Sequence, residues 1–414
     1  MTQTTMIGLI GFKTVQKTIT NEERTLTPLF VFCADLHLED GAWSSRPGIY
    51  GDAYYSFEQI VDYCIEHRLP LILGGDVLEK KSNSARPIAR LFEGLSRMRD
   101  VRVPVYYIQG NHEYDRNAPW LSAHDWPIYM HEARFDINGA KVAGFDWLPR
   151  GEIQEAFKRV PEDTDILITH QVWKDFMGNL GRTDCELTDV HRVQTVLAGD
   201  FHVTKTVEST NAQGKPIKML SPGSTCMQDM SESPEKFFFV IGRIPTTGAI
   251  VFTPIQLRTR RFLNYVVKDQ DTLDALCSGQ LVKDINDQMD DTLPAHINKP
   301  LIRIKFDKQL PDAYLRLMTA VGEFAHIACE AISEKYSTAK TSTRDGAKND
   351  LLSALADLVG EDSEAYKLAA ALLVAEDAGK ELDVQFSKHM SGEPNDAALT
   401  IGSEELGTPQ VPSM

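Results

Sequence analysis

The sequence predicts an α/β protein in which two sheets are flanked by helices, followed by a small α+β unit and a C-terminal helix pair. Apolar runs alternate with helical patterns from residue 28 to residue 108, which is typical of a mainly parallel sheet. After residue 135 short apolar runs are joined by turn residues, which predicts hairpins. Five apolar runs stop at side chains that can bind a metal ion, which predicts a site where strands end.

The first half of the chain supplies the alternating units. Strands are expected at 28–34, 69–73 and 104–108, because each is a short apolar run bounded by turn residues. Helices are expected between them, at 54–64 and 88–98, because apolar residues recur there at three- and four-residue steps. Such units join parallel strands through right-handed crossovers.

The second half of the core carries the hairpins. The dipeptide Asn138-Gly139 lies between two apolar runs, which is a strong hairpin signal. A short helix, another strand, a second hairpin and two further strands follow, at 153–159, 165–169, 203–220, 237–241 and 249–255. The core domain should therefore run from 28 to 262.

The regions outside this core have weaker patterns. Residues 1–27 are interpreted as an N-terminal extension without the basic leader of a signal peptide. Residues 263–337 should form a linker, rich in Asp, Gln and Asn up to Pro300, and a small α+β domain with a strand at 301–306 and a helix at 312–337. The remaining segments are a flexible linker at 338–349, a leucine-bearing helix pair at 350–377 and a disordered tail at 378–414.

The composition limits the classes of protein that the chain can belong to. The 414 residues suit two or three domains, and the net charge of −16 argues against a freestanding nucleic-acid binder, because phosphate contacts need Lys and Arg. Bound divalent metals would offset part of this acidity locally. The six cysteines are scattered and form no C-x-x-C pair, which indicates reduced thiols in a cytoplasmic protein. No apolar run approaches the roughly 18 residues that a membrane span needs.

The strand ends carry the residues that point to chemistry. A single Asp or His at a strand end is usually a cap or a satisfied polar group, but five ordered occurrences favour a metal site. Oxygen and imidazole ligands without thiolate suit manganese, iron, zinc or magnesium, and their number exceeds what one ion can use. Two ions can clamp both the attacking and the leaving oxygen of a phosphoester. The candidate residues are Asp35, His37, Asp76, Asn111, His112, His170, Asp200 and His202.

The order of these motifs, D-x-H, G-D, G-N-H-E, H and G-x-x-H, resembles the calcineurin-like metallophosphoesterase superfamily. The resemblance implies that His112 is the catalytic histidine, which stabilises the transition state and protonates the leaving oxygen, and that the nucleophile is a metal-bound hydroxide. It implies one ion on Asp35, His37 and His202, a second ion on Asn111, His170 and Asp200, and a bridge between them at Asp76.

Two departures from this family bear on the metal and on activity. Asp200 stands where a histidine is usual, and the extra carboxylate favours two Mn²⁺ ions first, with Mg²⁺ as the alternative, before zinc. The repair nucleases have a second catalytic histidine shortly after the bridging aspartate, whereas this chain has Glu79 there. Both changes leave room for a slow or inactive enzyme.

Three later segments resemble SbcD-type nuclease subunits, which pair with an SbcC-type ABC ATPase in DNA double-strand-break repair. LSPGS, EKFFFVIGRI and TPIQLRTRRF are similar to the end of their catalytic domain. The resemblance implies that 263–337 contains a DNA-capping domain, that 350–377 is an ATPase-binding helix-loop-helix, and that the subunit is a homodimer within a heterotetramer. Phage-encoded recombination nuclease subunits belong to the same group. The protein is therefore expected in the cytoplasm, either of a bacterium or of the host of a phage that encodes it.

Several alternatives stay open at this point. The expected function is a metal-dependent DNA exonuclease or endonuclease that acts with the ATPase in repair, recombination or replication. The alternatives are a small-molecule phosphodiesterase or phosphatase, and a scaffold with a weakened metal site in a DNA-processing complex. The leucines of 350–377 could instead fold back on the capping domain. Arg258, Arg260 and Arg261 suit either DNA phosphates or a solvated strand edge.

Overall fold

The structure is a computed structural model that describes residues 26–39, 49–80, 84–116, 120–178, 182–306, 310, 312–322 and 324–331. The expected linker at 338–349, helix pair at 350–377 and tail at 378–414 lie outside the described residues, as does nearly all of the N-terminal extension. None of the described helices combines the length and the hydrophobicity that crossing a bilayer requires.

In chain order the described strands are β1 (Thr27–Cys33), β2 (Leu71–Gly74), β3 (Val105–Ile108), β4 (Ile128–Tyr129), β5 (Ala133–Ile137), β6 (Ala140–Phe145), β7 (Ile166–His170), β8 (Thr195–Gly199), β9 (Lys205–Thr210), β10 (Pro216–Ser221), β11 (Phe237–Arg243), β12 (Ile250–Gln256), β13 (Phe262–Val267), β14 (Leu301–Phe306) and β15 (His326–Ala331). The described helices are α1 (Asp52–His67), α2 (Ala85–Asp100), α3 (Arg150–Lys158), α4 (Lys174–Met177), α5 (Gln270–Ala275), α6 (Leu281–Asp287), α7 (Ala295–Asn298) and α8 (Ala313–Val321).

The first sheet is six-stranded and has the order β12-β11-β1-β2-β3-β4. Strands β1 to β4 are parallel, and β11 pairs antiparallel with both β1 and β12. Helices α1 and α2 cover its outer face, where Phe57, Ile60 and Leu95 are buried in one cluster with Val31 of β1. The alternation of strands and helices in the first half of the sequence therefore predicted this sheet correctly.

The second sheet is also six-stranded and has the order β5-β6-β7-β8-β10-β9. Strands β6, β7, β8 and β10 are parallel, and the outer strands β5 and β9 run antiparallel to their neighbours. The turn between β5 and β6 has positive φ at both Asn138 (50°) and Gly139 (82°), a conformation that these two residue types adopt readily. The expected hairpin is confirmed.

The two sheets pack face to face and bury a shared core. Phe30 and Ile72 of the first sheet lie in one cluster with Val142, Ile168 and Leu197 of the second sheet. Residues that alternate with these on the strands pack outward against helices, so the central strands are buried on both faces. The expected two-sheet sandwich flanked by helices is confirmed, and the parallel strands of both sheets end on the same side.

The small α+β unit is more regular than the sequence predicted. Strands β13, β14 and β15 form a parallel sheet, and its core includes Leu263, Leu281, Ile302 and Leu317. The polar stretch before Pro300, which we expected to be mainly linker, contains β13 and three short helices. The apolar residues of this core are spread among polar ones from β13 to β15, so their spacing in sequence gave only a weak signal.

The helix expected at 312–337 is wrong from 322 to 331, because the observed helix stops at Val321, and residues 332–337 lie outside the described part of the chain. After helix α8, β15 follows as a strand that pairs parallel with β14 from His326 to Ala331. Residues of this stretch also occur at helical spacing, but pairing with a buried strand outweighs that local preference. Phe324, which falls inside the expected helix, lies between the two elements and is 57% exposed.

Candidate metal centre

The side chains predicted to bind metal lie at the carboxyl ends of β1, β2, β3, β7 and β8. Four of them have positive φ although they are not glycine: Asp35 (53°), His37 (46°), Asp76 (47°) and Asp200 (83°). Such backbone angles are costly for residues with a Cβ, and they concentrate at functional sites where the surrounding fold imposes them. The fold therefore uses backbone strain to direct these side chains toward one point.

Glycines beside these residues allow the strand ends to approach closely. A Cβ on Gly110 would lie 2.0 Å from Asp76 Oδ1, and one on Gly199 would lie 2.5 Å from His170 Nδ1. Gly75, at φ +93°, is equally tight against His170. The glycine in each G-D, G-N-H and G-x-x-H motif is thus required by packing of the ligand side chains themselves.

The first cluster consists of Asp35, His37 and His202. The Nε2 atoms of the two histidines are 3.1 Å apart, and His202 Nε2 lies 3.9 Å from Asp35 Oδ1. His37 Nδ1 donates to Glu79 Oε2 at 2.6 Å, and His202 Nδ1 donates to Glu232 Oε1 at 2.9 Å. Because each Nδ1 hydrogen is held by a carboxylate, both Nε2 lone pairs face the same space, which is the arrangement that a bound cation requires.

The second cluster is centred on His170, whose side chain is fully buried. Its Nδ1 donates to the Gly74 carbonyl at 2.9 Å, so its Nε2 is the ring nitrogen that would bind an ion. That Nε2 has no hydrogen-bond partner in the described part of the chain and faces carboxylate oxygens of Asp76 at 3.1 Å, Asp200 at 3.8 Å and Asp35 at 3.9 Å. A ring nitrogen surrounded by carboxylates fits a divalent cation.

The two clusters adjoin and share ligands. Ligand atoms of Asp35, His37 and His202 lie within 4.8 Å of one another, as do those of Asp35, Asp76 and His170. Asp76 also groups with His37 and with His112. Asp76 and Asp35 therefore each border both clusters, and this geometry suits two neighbouring ions rather than one.

The carboxylates and histidines of the cluster shift one another's pKa values. Burial raises the pKa of Asp76, but His170 and His37 beside it more than offset this effect, so its pKa lies below the ordinary value and the carboxylate stays ionised. Burial raises the pKa of Asp200 to about 6, and the neighbouring carboxylate of Asp35 adds to the shift. The site thus holds more negative charge than its histidines neutralise, which favours binding of divalent cations.

His112 lies at the edge of this site. Its backbone N–H donates to Asp76 Oδ1 at 3.0 Å, and its Nδ1 donates to the Glu79 carbonyl at 2.7 Å. The first bond holds the backbone and the second holds the ring, with Nε2 3.9 Å from Asp76 Oδ2, while 34% of the side chain is exposed. A substrate can therefore reach this nitrogen.

Asn111, the remaining predicted ligand, lies in the turn after β3, directly before His112. Its side chain is exposed, and its carboxamide has no hydrogen-bond partner among the described residues. The backbone on either side is held at the site, since His112 N bonds Asp76 and Gly110 N bonds Glu113. The other seven predicted side chains converge on the clusters described above.

Three glutamates support the site. Glu79, which follows the predicted bridging aspartate, holds His37 through its carboxylate and His112 through its carbonyl. Glu113, the last residue of G-N-H-E, is buried and accepts from the backbone of Val77 and Gly110, so it ties two ligand turns together. Glu232 was not predicted, because it belongs to no motif and meets His202 only in the folded chain.

The three arginines considered for DNA contact differ in environment. Arg258 and Arg261 are exposed and pair with Asp290 at 3.1 Å and 3.5 Å. Arg260 is buried, and its guanidinium binds both carboxylate oxygens of Asp52 at 2.9 Å. Arg260 is therefore a structural residue that fastens the small α+β unit to α1, and it suits neither of the two expected roles.

Comparison with protein families matches residues 28–204 to the family described as Calcineurin-like phosphoesterase. The chain therefore contains a calcineurin-like metallophosphoesterase domain, and the family predicted from the strand-end motifs is confirmed.

Within this class the chain is similar to curated proteins named DNA double-strand break repair protein Mre11. The relative from Haloferax volcanii is 25% identical over 161 residues, which is 37% of this chain and 36% of the relative. The relative from Methanosarcina acetivorans is 21% identical over 168 residues, 36% of this chain and 27% of the relative. The relative from Saccharolobus solfataricus is 26% identical over 149 residues, 33% of this chain and 39% of the relative. The chain thus spans well under half the length of the curated relatives it matches.

Proposed function

We propose that the chain is a DNA nuclease subunit that depends on two divalent metal ions and hydrolyses phosphodiester bonds. The observation that carries this proposal is the pair of adjoining clusters that share Asp35 and Asp76. When bound, two divalent ions neutralise phosphate charge and lower the pKa of water, which is the chemistry that phosphodiester hydrolysis needs.

The proposed ligands follow from the geometry. Asp35, His37 and His202 would hold one ion, because their ligand atoms converge and both imidazoles have their Nδ1 hydrogens bound elsewhere. Asp76, His170 and Asp200 would hold the second ion. The family resemblance, rather than a distance in the structure, adds Asn111 from the adjacent turn as a further proposed ligand. The carboxylate-rich set favours Mn²⁺ or Mg²⁺ over zinc.

His112 is proposed as the catalytic residue. The Glu79 carbonyl holds its ring through Nδ1, and Asp76 holds its backbone N–H, so the imidazole is already oriented before substrate binds. Its exposed Nε2 can hold a proton beside the scissile phosphate and deliver it to the leaving oxygen.

DNA is proposed as the substrate because the similar proteins are named for DNA double-strand break repair. The SbcD-like segments support the further proposals of an SbcC-like ABC ATPase partner, docked on 350–377, and of a homodimer. If those proposals hold, removing 350–377 abolishes co-purification with the ATPase and leaves Mn²⁺-dependent cleavage of a generic phosphodiester intact. Loss of cleavage in that deletion would contradict the assignment of 350–377 as a docking segment.

The proposed function is tested by Mn²⁺-dependent release of nucleotides from linear duplex DNA, with and without the ATPase. Asp76→Ala and His112→Ala should each lose most of the activity, since one removes a shared ligand and the other the proton donor. Asp100→Ala is the matched control, because Asp100 is an exposed aspartate at the end of α2. Equal activity of wild type and both site variants refutes the nuclease proposal and favours the scaffold. Cleavage of cyclic nucleotides but not DNA would favour a small-molecule phosphodiesterase.

A further inference from the structure

The segment between β10 and β11 holds one carboxylate in a fixed position beside the metal centre. Glu232 Oε1 accepts from His202 Nδ1, whereas its Oε2 accepts from Ser224 Oγ at 2.8 Å and from Lys236 Nζ at 2.5 Å. Lys236 is 3% exposed, and its ammonium also donates to Ser224 Oγ at 2.7 Å. Both oxygens of Glu232 are thus committed, and the direction of its bond to His202 is set by its own segment.

The same segment packs against the small α+β unit on its other side. Met227 and Met230 contact a buried cluster that contains Leu301 of β14. Arg303, two residues further along β14, donates to the Met230 carbonyl at 3.1 Å. A contiguous path of contacts therefore runs from β14 through the segment to the imidazole of His202.

We propose that Glu232 is a positioning residue through which the small α+β unit controls the orientation of His202 in the metal centre. The inference rests on the proposed function only in that His202 binds an ion. Glu232 fixes the tautomer of His202 and orients its Nε2 toward Asp35 and His37. Packing alone does not fix this orientation, because 32% of the His202 side chain is exposed. A shift of β14 would move Met230, and with it the Glu232 carboxylate that orients the His202 imidazole.

The experiment measures Mn²⁺ binding to the full chain by electron paramagnetic resonance of free Mn²⁺, which does not depend on catalysis. Glu232→Gln should weaken one of two bound ions by about 10- to 100-fold and leave the other unchanged. Glu235→Gln, an exposed glutamate in the same segment, is the matched control and should bind both ions as wild type does. Equal affinity of Glu232→Gln and wild type for both ions overturns the proposal.

The coupling to the small unit is tested by a double-mutant cycle. Arg303→Met keeps the side-chain stem but removes the bond to Met230, and it should weaken the same ion by about 3- to 30-fold. If this effect passes through Glu232, the double variant binds no more weakly than Glu232→Gln alone. Additive losses would overturn the coupling.

Circular dichroism of each metal-free variant identifies a variant that does not fold. If Glu232→Gln fails this check, Ser224→Ala takes its place, because it removes one donor to the same carboxylate. Wild-type affinity in Ser224→Ala then counts against the proposal. If the wild-type chain itself binds no Mn²⁺, the proposed function fails, which is a different result from equal binding by wild type and variant.

Discussion

Gly110→Ala tests whether close approach of two turns builds the metal centre. The added Cβ would lie 2.0 Å from Asp76 Oδ1 and 2.3 Å from Asp76 N, whereas ordinary contacts begin near 3.4 Å. Because backbone as well as side chain is in the way, the two turns must separate by about 1 Å, and a shift of that size can cost roughly 100-fold in rate. Overpacking of this kind also lowers the free energy of unfolding by about 1–3 kcal/mol.

The assay combines urea unfolding, Mn²⁺ titration and hydrolysis of an activated phosphodiester. Gly151→Ala is the matched control, because Gly151 lies in α3 with open space around its Cβ position. That variant should equal or slightly exceed wild type in stability, since Ala is favoured over Gly in helices by about 1 kcal/mol. If Gly110→Ala keeps wild-type Mn²⁺ affinity and activity, the reasoning that these turns must touch is refuted.

Two further predictions concern stability. Arg260→Met should lower the free energy of unfolding by about 3 kcal/mol in urea denaturation, because it leaves the Asp52 carboxylate without its partner. Arg260→Met/Asp52→Leu should regain part of that loss, and wild-type stability of the single variant would contradict the assigned role. Burial, with the nearby positive charge of Arg260, lowers the pKa of His326 to about 4. Stability from this group is full above pH 6.5 and is lost toward pH 4, because the unfolded chain binds the proton first. After solvent screening the loss is on the order of 1 kcal/mol, and His326→Gln should flatten that slope in unfolding measured across this pH range.

The strand-end residues could be predicted from sequence because parallel strands carry ligands at one edge and leave a regular pattern. Asp35, Asp76 and His170 each follow a short apolar run, and the structure brings them together. Glu232 could not be predicted in this way, since it reaches His202 across 30 residues through a segment without periodicity. The same limit explains β15, whose strand conformation depends on pairing with β14 and contradicts its local helical spacing.

Asp200 adds a third carboxylate beside His170, and this bears on how much the fold depends on bound metal. Three carboxylates, from Asp35, Asp76 and Asp200, surround Nε2 of His170, and all three residues have positive φ. Mutual repulsion and backbone strain both oppose folding there. A divalent cation removes the repulsion and binds only the folded arrangement, so its binding energy adds to stability. We infer that Asp200 strengthens this dependence on metal, because burial and the neighbouring carboxylate of Asp35 outweigh the favourable effect of His170 and raise the pKa of Asp200 to about 6.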